Sequence, residues 1–144
     1  MFSKACEYGI RATIFIAEQS TQDRKVGLKE VASAIDSPVA YTSKILQQLS
    51  RHNIILSEKG PTGGFSMTQK NIDKTKLSEV VTAIDGKEIY IGCGFGLKKC
   101  NASKPCPVHN QFIKVREDLR NMLETTSIKS MTLNLKNGKA YLKR

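Results

Sequence analysis

The sequence predicts a mainly α-helical protein with a small β wing: a winged helix-turn-helix domain followed by a long C-terminal helix suited to dimerisation. Two observations lead to this fold class. Three stretches with apolar residues at helical spacing precede a glycine-rich hairpin, and a longer helical stretch follows a cysteine-rich loop. Helix, helix, helix and hairpin is the order of a winged helix-turn-helix, in which the second and third helices read DNA and the hairpin is the wing.

Two helices begin the chain. The spacing of apolar residues predicts the first over residues 2–18, capped by Ser3, and a shorter second helix over residues 28–35. Cys6 falls on the apolar face of the first helix, so we interpret it as a buried core thiol.

The third helix is predicted from Pro38 to about His52, with Ser37 as its N-cap. Its outer face carries small, hydrogen-bonding and cationic residues, with few carboxylates to repel phosphate.

Two short strands follow, over residues 54–57 and 65–68, and form the wing. A small α+β core without a role in DNA binding is the alternative interpretation. The candidate DNA-binding residues are Tyr41, Ser43, Lys44, Gln47 and Arg51 in the helix and Lys59, Gly60, Gly63 and Gly64 in the wing.

A long helix is predicted over residues 107–124. Its apolar residues step by three, four and three, which is the spacing of a coiled-coil seam. Eighteen residues at ~1.5 Å each make a rod of about 27 Å. Such a rod on a small domain indicates a partner, so we expect a homodimer through this helix; folding back on its own domain is the alternative. The seam residues are Phe112, Val115, Leu119 and Met122.

The rest of the C-terminal half contains a fourth helix and a basic tail. The fourth helix is predicted over residues 77–85, capped by Thr75 or Ser78. Residues 127–133 are expected to form one helical turn or more, with Asn137-Gly138 as a hairpin signal after them. The basic tail is expected to be solvated, with a phosphate contact as the alternative. Three segments result: a DNA-binding domain over residues 1–86, a cysteine-rich loop over 87–109, and a dimerisation helix with a basic tail over 110–144.

Charge and hydropathy restrict the partners. Twenty-three Lys and Arg against thirteen Asp and Glu leave a net charge of +10, which indicates a polyanionic partner. Nucleic acid is favoured over a membrane because no strongly basic amphipathic helix is evident. No apolar run reaches transmembrane length, and the N-terminus lacks a signal-peptide pattern. We therefore expect a soluble, cytoplasmic protein.

Three of the four cysteines and one of the two histidines lie between Cys93 and His109. Without a secretory context, such a cluster indicates a metal or redox site rather than disulfides. Cys106 and His109 are three residues apart at a helix start, where both can face one centre. Thiolates suit iron–sulfur clusters, zinc or copper(I), so spacing alone leaves a zinc site and a metal-free thiol switch open. An enzyme is not expected, because no third residue orients a cysteine–histidine dyad.

Several stretches carry a resemblance to a known family. They are YGIRA at residues 8–12, LKEVA at 28–32, Tyr41 with Ile45, Leu46 and Leu49, the wing KGPTGGF at 59–65, and Cys93, Cys100, Cys106 and His109. Together they resemble the Rrf-two family of bacterial winged-helix transcription regulators, of the IscR and NsrR types, over residues 1 to about 130. Lys59 and Phe65 replace the family's usual Arg and Tyr, and Lys59 keeps the cation without the planar fork.

The resemblance implies a homodimeric transcription regulator, usually a repressor, that binds a pseudo-palindromic operator in double-stranded DNA. It also implies a switch by an iron–sulfur cluster held by Cys93, Cys100 and Cys106 with one further ligand. His109 suits the [2Fe–2S] variant, which we favour over [4Fe–4S]. The gap from Cys93 to Cys100 is one residue longer than is usual in the family.

Glu7 is the rival fourth ligand. In some relatives an acidic residue at this matching position comes from the other subunit, whereas its simpler interpretation is a surface pair with Arg11, four residues on. Two alternative functions remain open: a metal-free thiol redox-sensing regulator, and a zinc-stabilised structural or interaction protein.

Overall fold

The computed structural model describes residues 1–142, in which one short hairpin lies between two groups of helices. The mostly helical architecture with a small two-stranded sheet confirms the predicted fold class. The elements are α1 (Lys4–Ser20), α2 (Leu28–Ile35), α3 (Val39–Arg51), β1 (Leu56–Glu58), β2 (Gly64–Ser66), α4 (Gln69–Lys74), α5 (Leu77–Asp85), α6 (Glu88–Ile91), α7 (His109–Thr125) and α8 (Ile128–Lys136).

Helix α1 is the centre of the core and packs against α2, α3, α5 and α8. Ser3 caps it as predicted, because its hydroxyl oxygen accepts a hydrogen bond from the Cys6 backbone N–H at 3.0 Å. Cys6 and Ile16 are fully buried, so the interpretation of Cys6 as a core thiol is confirmed.

The helix-turn-helix pair is α2 and α3. Helix α2 has the predicted bounds, and α3 buries the predicted inner face. The predicted N-cap of α3 is wrong, however. Pro38 has extended backbone angles and is itself the N-cap, and its carbonyl accepts from the Thr42 backbone N–H at 2.9 Å. The hydroxyl of Ser37 is therefore left buried without a hydrogen-bond partner in the described residues. The inner-face residues are Thr42, Ile45, Leu46 and Leu49.

The wing is an antiparallel hairpin in which Leu56 pairs with Ser66 and Glu58 with Gly64. It begins two residues later than predicted, because Ile54 and Ile55 are buried in the core instead of pairing across the hairpin. The backbones of Val26 and Phe65 exchange hydrogen bonds of 3.0 and 2.7 Å. This bridge attaches the wing to the segment that leads into α2.

Helix α5 has the predicted bounds, but its predicted cap is wrong. The carboxylate of Glu79 accepts from the Lys76 backbone N–H at 2.7 Å, so the helix is capped from inside its own first turn. Thr75 is unavailable for this role because it is buried where the chain meets α8, and its carbonyl accepts from the Ile128 N–H at 3.0 Å.

The helical turn expected within residues 127–133 is confirmed and extends over residues 128–136, whereas the hairpin expected after it is wrong. These residues form α8, capped by Ser127, which packs on α1 and α4 and buries Ile128 completely. Asn137-Gly138 ends this helix rather than turning a hairpin, because Gly138 has a φ of +67° and suits either structure. The cations Lys143 and Arg144 lie outside the described residues.

Helix α7 begins two residues later than predicted and has two distinct faces. One face carries Leu123, which is fully buried among residues of α1 and α5. Of the predicted seam, Val115 is 51% and Met122 46% exposed, whereas Leu119 packs against the same cluster as Leu123. The helix thus packs on its own domain and still presents part of the apolar seam to solvent. Among residues 1–142, no helix is long and apolar enough to cross a membrane.

Candidate functional site

The outer face of α3 carries exposed side chains of the kind that contact DNA. Lys44, Gln47 and Arg51 are exposed, and no carboxylate lies within the helix. Tyr41 is half-buried and packs edge-to-face on Tyr8, with ring centroids 5.8 Å apart. Tyr41 therefore also anchors α3 to α1. Ser43, the remaining predicted DNA contact of α3, is half-buried.

Two cations of α1 lie near this face and were not predicted. The guanidinium of Arg11 lies 4.8 Å from the centroid of the Tyr8 ring, and the ammonium of Lys4 lies 5.6 Å from it. Their spacing around Tyr8, at i−4 and i+3, is the sequence signal that could have indicated this cluster.

The wing tip is exposed and needs its glycines. Gly60 has a φ of +98°, and a Cβ on Gly63 would lie 2.2 Å from the carbonyl oxygen of Glu58. Glu58 itself pairs with Lys25 at 2.6 Å, which offsets the carboxylate beside Lys59. The four predicted wing residues therefore share one turn, with Lys59 at its exposed start and Gly64 where it enters β2.

The cysteine loop connects α6 to α7, and its three cysteines are half-buried free thiols. The sulfur of Cys100 lies 3.4 Å from Nδ1 of His109, the first residue of α7. His109 is only 7% exposed. Cys100, nine residues away in sequence, thus supplies the sulfur within hydrogen-bonding distance of the His109 ring.

Cys93 is the loop thiol whose pKa is lowered. The backbone N–H groups of Phe95 and Leu97 hydrogen-bond to the Cys93 sulfur and lower the pKa of this thiol, and the Cys106 side chain and the charge of Arg116 lower it further. The thiolate of Cys93 is therefore favoured relative to an ordinary cysteine.

The four predicted ligands share one loop but do not converge on one centre. Within residues 1–142, no three Cys, His, Asp or Glu side chains converge closely enough to hold a metal ion. The donor chemistry nevertheless fits an iron–sulfur cluster, because one short segment carries three unbridged thiols, which are soft ligands, and an imidazole, which also binds iron.

Two residues of α7 support the loop and were missed in the sequence. The guanidinium of Arg116 donates to the Gly92 carbonyl at 2.7 Å and to the Cys100 sulfur at 3.6 Å. The ring of Phe112 fills the space beside Gly94, where a Cβ would lie 2.8 Å from it. Their positions three and seven residues after His109 place all three side chains on one helix face, which was the available signal.

Glu7, the rival ligand, lies on α1 outside this loop. Its carboxylate pairs with Lys4 at 3.0 Å rather than with Arg11, so the predicted Glu7–Arg11 pair is wrong. Arg11 instead directs its guanidinium at the Tyr8 ring. Ligation by Glu7 from a second subunit stays a prediction.

An exposed polar third helix and a glycine-turned wing on a helical core define a winged helix-turn-helix protein. The family model that matches residues 2–134 is Rrf2, described as an iron-dependent transcriptional regulator. The chain belongs to the Rrf2 family, which confirms the resemblance seen in the sequence. Transcription regulation through DNA binding is accordingly its class of function.

Relatives and solved structures agree with this family. The chain is 28% identical over 133 residues to a protein of Aquifex aeolicus described as an HTH-type transcriptional regulator, which covers 91% of this chain and 90% of the relative. Its structure resembles CymR, the global cysteine regulator of B. subtilis, with a TM-score of 0.75, 14% identity and coverage of 92% and 96% of the two chains. It also resembles T. potens IscR, with a TM-score of 0.74, 15% identity and coverage of 99% and 93%. At these identities the structural likeness shows the fold alone.

Cys6 should remain unreactive when the loop thiols react. Burial, followed by the nearby Asp85 carboxylate, raises the pKa of Cys6 to about 12, and the side chain is fully buried. At about pH 8 the reactive thiolate is therefore scarce. Alkylation of the native metal-free protein, followed by mass spectrometry, is expected to modify Cys93, Cys100 and Cys106 only.

The control is the same reaction in denaturant, where all four thiols should react. Modification of Cys6 in the native protein as fast as the loop cysteines would show that α1 is not packed as described.

Proposed function

We propose that the protein is a homodimeric DNA-binding repressor whose operator affinity is switched by an iron–sulfur cluster, of the [2Fe–2S] type in preference to [4Fe–4S]. The observation that carries this proposal is the loop before α7, which carries three free thiols and in which the Cys100 sulfur lies 3.4 Å from the His109 ring. Cys93, Cys100, Cys106 and His109 would hold the cluster. When bound, such a cluster supplies a redox-active and chemically labile centre.

The DNA contact of the proposal uses α3 and the wing. Lys44, Gln47 and Arg51 project from α3 into a major groove, and Lys59 follows the adjacent phosphate backbone. Two copies related by a two-fold axis would place two such helices about one helical turn of DNA apart, which requires a pseudo-palindromic operator.

The dimer contact of the proposal is the seam of α7. Val115 and Met122 are each about half exposed and form the exposed part of the seam, while Leu119 packs against the Leu123 cluster and Phe112 lies against Gly94. An apolar stripe at three-four-three spacing on an exposed helix is the pattern that a second identical helix covers.

Coupling between the loop and DNA would run through α7. His109 begins this helix, and Leu123 near its other end is fully buried against the DNA-binding domain. Drawing Cys93, Cys100 and His109 around one centre would fix the loop on the first turn of α7. In the proposed dimer, the position of α7 sets the distance between the two α3 helices. Two states of the loop could therefore select two distances between these helices.

A metal-free thiol switch is the second candidate function, and the lowered pKa of Cys93 in a loop with two further free thiols favours it. A thiol of lowered pKa with other thiols in the same loop is typical of one that oxidises readily. The fold also resembles S. aureus CymR in a structure described as its oxidized form, with a TM-score of 0.73 and 18% identity.

Removing one proposed phosphate or base contact tests the DNA interface. Lys44→Ala is expected to weaken binding to a wild-type-selected duplex by about five- to a hundredfold and to lower the salt dependence of binding by about one ion. The measurement is fluorescence anisotropy over a salt series. Lys114→Ala, which removes an exposed lysine of α7, is the control and should change neither quantity. Equal behaviour of the two variants would exclude this docking of α3.

A charge placed in the seam tests the dimer. Val115→Glu is expected to raise the dimer dissociation constant by about a hundredfold or more, because pairing would bury an unpaired carboxylate. Sedimentation velocity measures this change, with circular dichroism as the check on folding. Leu133→Glu, at a position 46% exposed on α8, is the matched control. A dimer that survives Val115→Glu would show that another surface forms the contact.

Purification without oxygen tests the cluster. The wild-type protein is expected to be brown, with about two iron and two sulfide ions per chain, and its DNA affinity should change when the cluster is removed by chelation. Cys100→Ser should abolish iron binding, whereas Cys6→Ala should retain it, because Cys6 is buried in the core.

The other outcomes separate the alternatives. A colourless protein with stoichiometric zinc would contradict the proposal and favour a zinc-stabilised protein. A colourless, metal-free protein whose DNA affinity changes on thiol oxidation would establish the second candidate instead.

A further inference from the structure

We propose that Arg116 is the positioning residue of the cysteine loop: its guanidinium clamps both ends of the segment from Gly92 to Cys100 onto α7. This inference deepens the proposed function and depends on it for its biological meaning. Nothing in the spacing of the cysteines indicates this arginine, because it lies in the following helix.

The clamp rests on two hydrogen bonds from one planar group. Nη1 donates to the carbonyl of Gly92 at 2.7 Å, directly before Cys93, and Nη2 donates to the sulfur of Cys100 at 3.6 Å. One side chain therefore holds the residue beside one proposed ligand and the sulfur of another.

The loop has few other fixed points. Residues 93–105 of the described chain make a single backbone–backbone hydrogen bond, from the Gly96 N–H to the Cys93 carbonyl, and both of its partners lie within the loop. A segment without strand or helix pairing is held by its side-chain contacts. Arg116 supplies such a contact from a rigid helix, and it is half-buried.

The face of α7 under the loop is built for this clamp. Seven residues separate His109 from Arg116, a rise of about 10.5 Å or two turns, so both project from the same face. Phe112 lies between them, with its ring against Gly94 and 5.7 Å from the Arg116 guanidinium. The loop thus rests on an aromatic ring between the histidine ligand and the arginine clamp.

The charge of Arg116 also suits an anionic group held by thiolates. Lys98, Lys99 and Lys104 are exposed to solvent, where their fields are screened. Arg116 is instead half-buried and in hydrogen-bond contact with a ligand sulfur. A lysine could supply the charge, but it lacks the planar fork that reaches two acceptors in different directions.

The test compares Arg116→Met, Arg116→Lys and the control Arg120→Met. Arg120 lies one turn further along α7, and its guanidinium lies 5.1 Å from the centroid of the Tyr90 ring instead of on the loop. Hydrogen exchange of the Phe95, Gly96 and Leu97 amides, which donate hydrogen bonds within the loop, is the first measurement in the metal-free protein. Exchange is expected to be about tenfold faster in Arg116→Met than in wild type, because charge-assisted contacts are lost. Arg120→Met should match wild type.

Retention and reduction potential of the reconstituted cluster are the second and third measurements. Arg116→Met should lose iron about tenfold faster than wild type and have a lower potential, since a cation near the sulfur is gone. Arg116→Lys should restore the potential but not the loop protection, because it keeps the charge without the fork. Should Arg116→Met fail to fold by circular dichroism, Arg116→Lys alone still tests the fork.

The outcomes distinguish this inference from the proposed function. Wild-type exchange rates in both Arg116 variants would overturn the clamp, and so would equal effects of Arg120→Met. A wild-type protein that takes up neither iron nor sulfide would overturn the proposed function, while the exchange of the metal-free loop would still decide the role of Arg116.

Discussion

The arrangement of the molecule depends on one apolar contact, the burial of Leu123 of α7 among Cys6, Leu77 and Val81 of α1 and α5. Burying a leucine side chain contributes about 1.5–3 kcal/mol. It fixes the end of α7 next to α8, and two backbone hydrogen bonds reinforce that end, from Leu77 N–H to Thr126 and from Ile128 N–H to Thr75. Fourteen residues, or about 21 Å of helix, separate this anchor from His109. The cysteine loop therefore lies at the far end of a rod whose base is part of the DNA-binding domain.

Helix α7 therefore carries three kinds of contact: with the cysteine loop, with solvent through its exposed apolar stripe, and with the core. The first turns of α7 carry the loop through His109, Phe112 and Arg116, its exposed stripe carries Val115 and Met122, and its last turns pack on the core. A rearrangement of the loop would thus act on the helix that we propose for dimerisation, without a separate relay. The return of the chain as α8 stiffens the base of the rod, because Ile128 is fully buried against α1 and α4.

Local periodicity predicted the elements whose neighbours lie within a few residues. The bounds of α2 and α5 and the buried face of α3 follow from apolar residues at helical spacing, which report burial directly. Predictions that needed a choice between local partners were less successful. Ser37 could cap a helix, but the backbone of Pro38 shifted its start by one residue, and Glu79 capped α5 in place of Thr75 or Ser78. Asn137-Gly138 suits a hairpin and a helix end equally, and the burial of Ile128 decided between them.

By itself, the sequence determined the family, the winged-helix order, the core role of Cys6 and the confinement of three cysteines and His109 to one loop, because these depend on residue type and spacing along the chain. The tertiary structure alone decided which groups meet. It placed Cys100, not the sequence-near Cys106, beside the His109 ring. It also directed Arg116 at Gly92 and Cys100 from sixteen or more residues away. Such contacts depend on how the loop folds back over α7, and a linear spacing carries no information about that path.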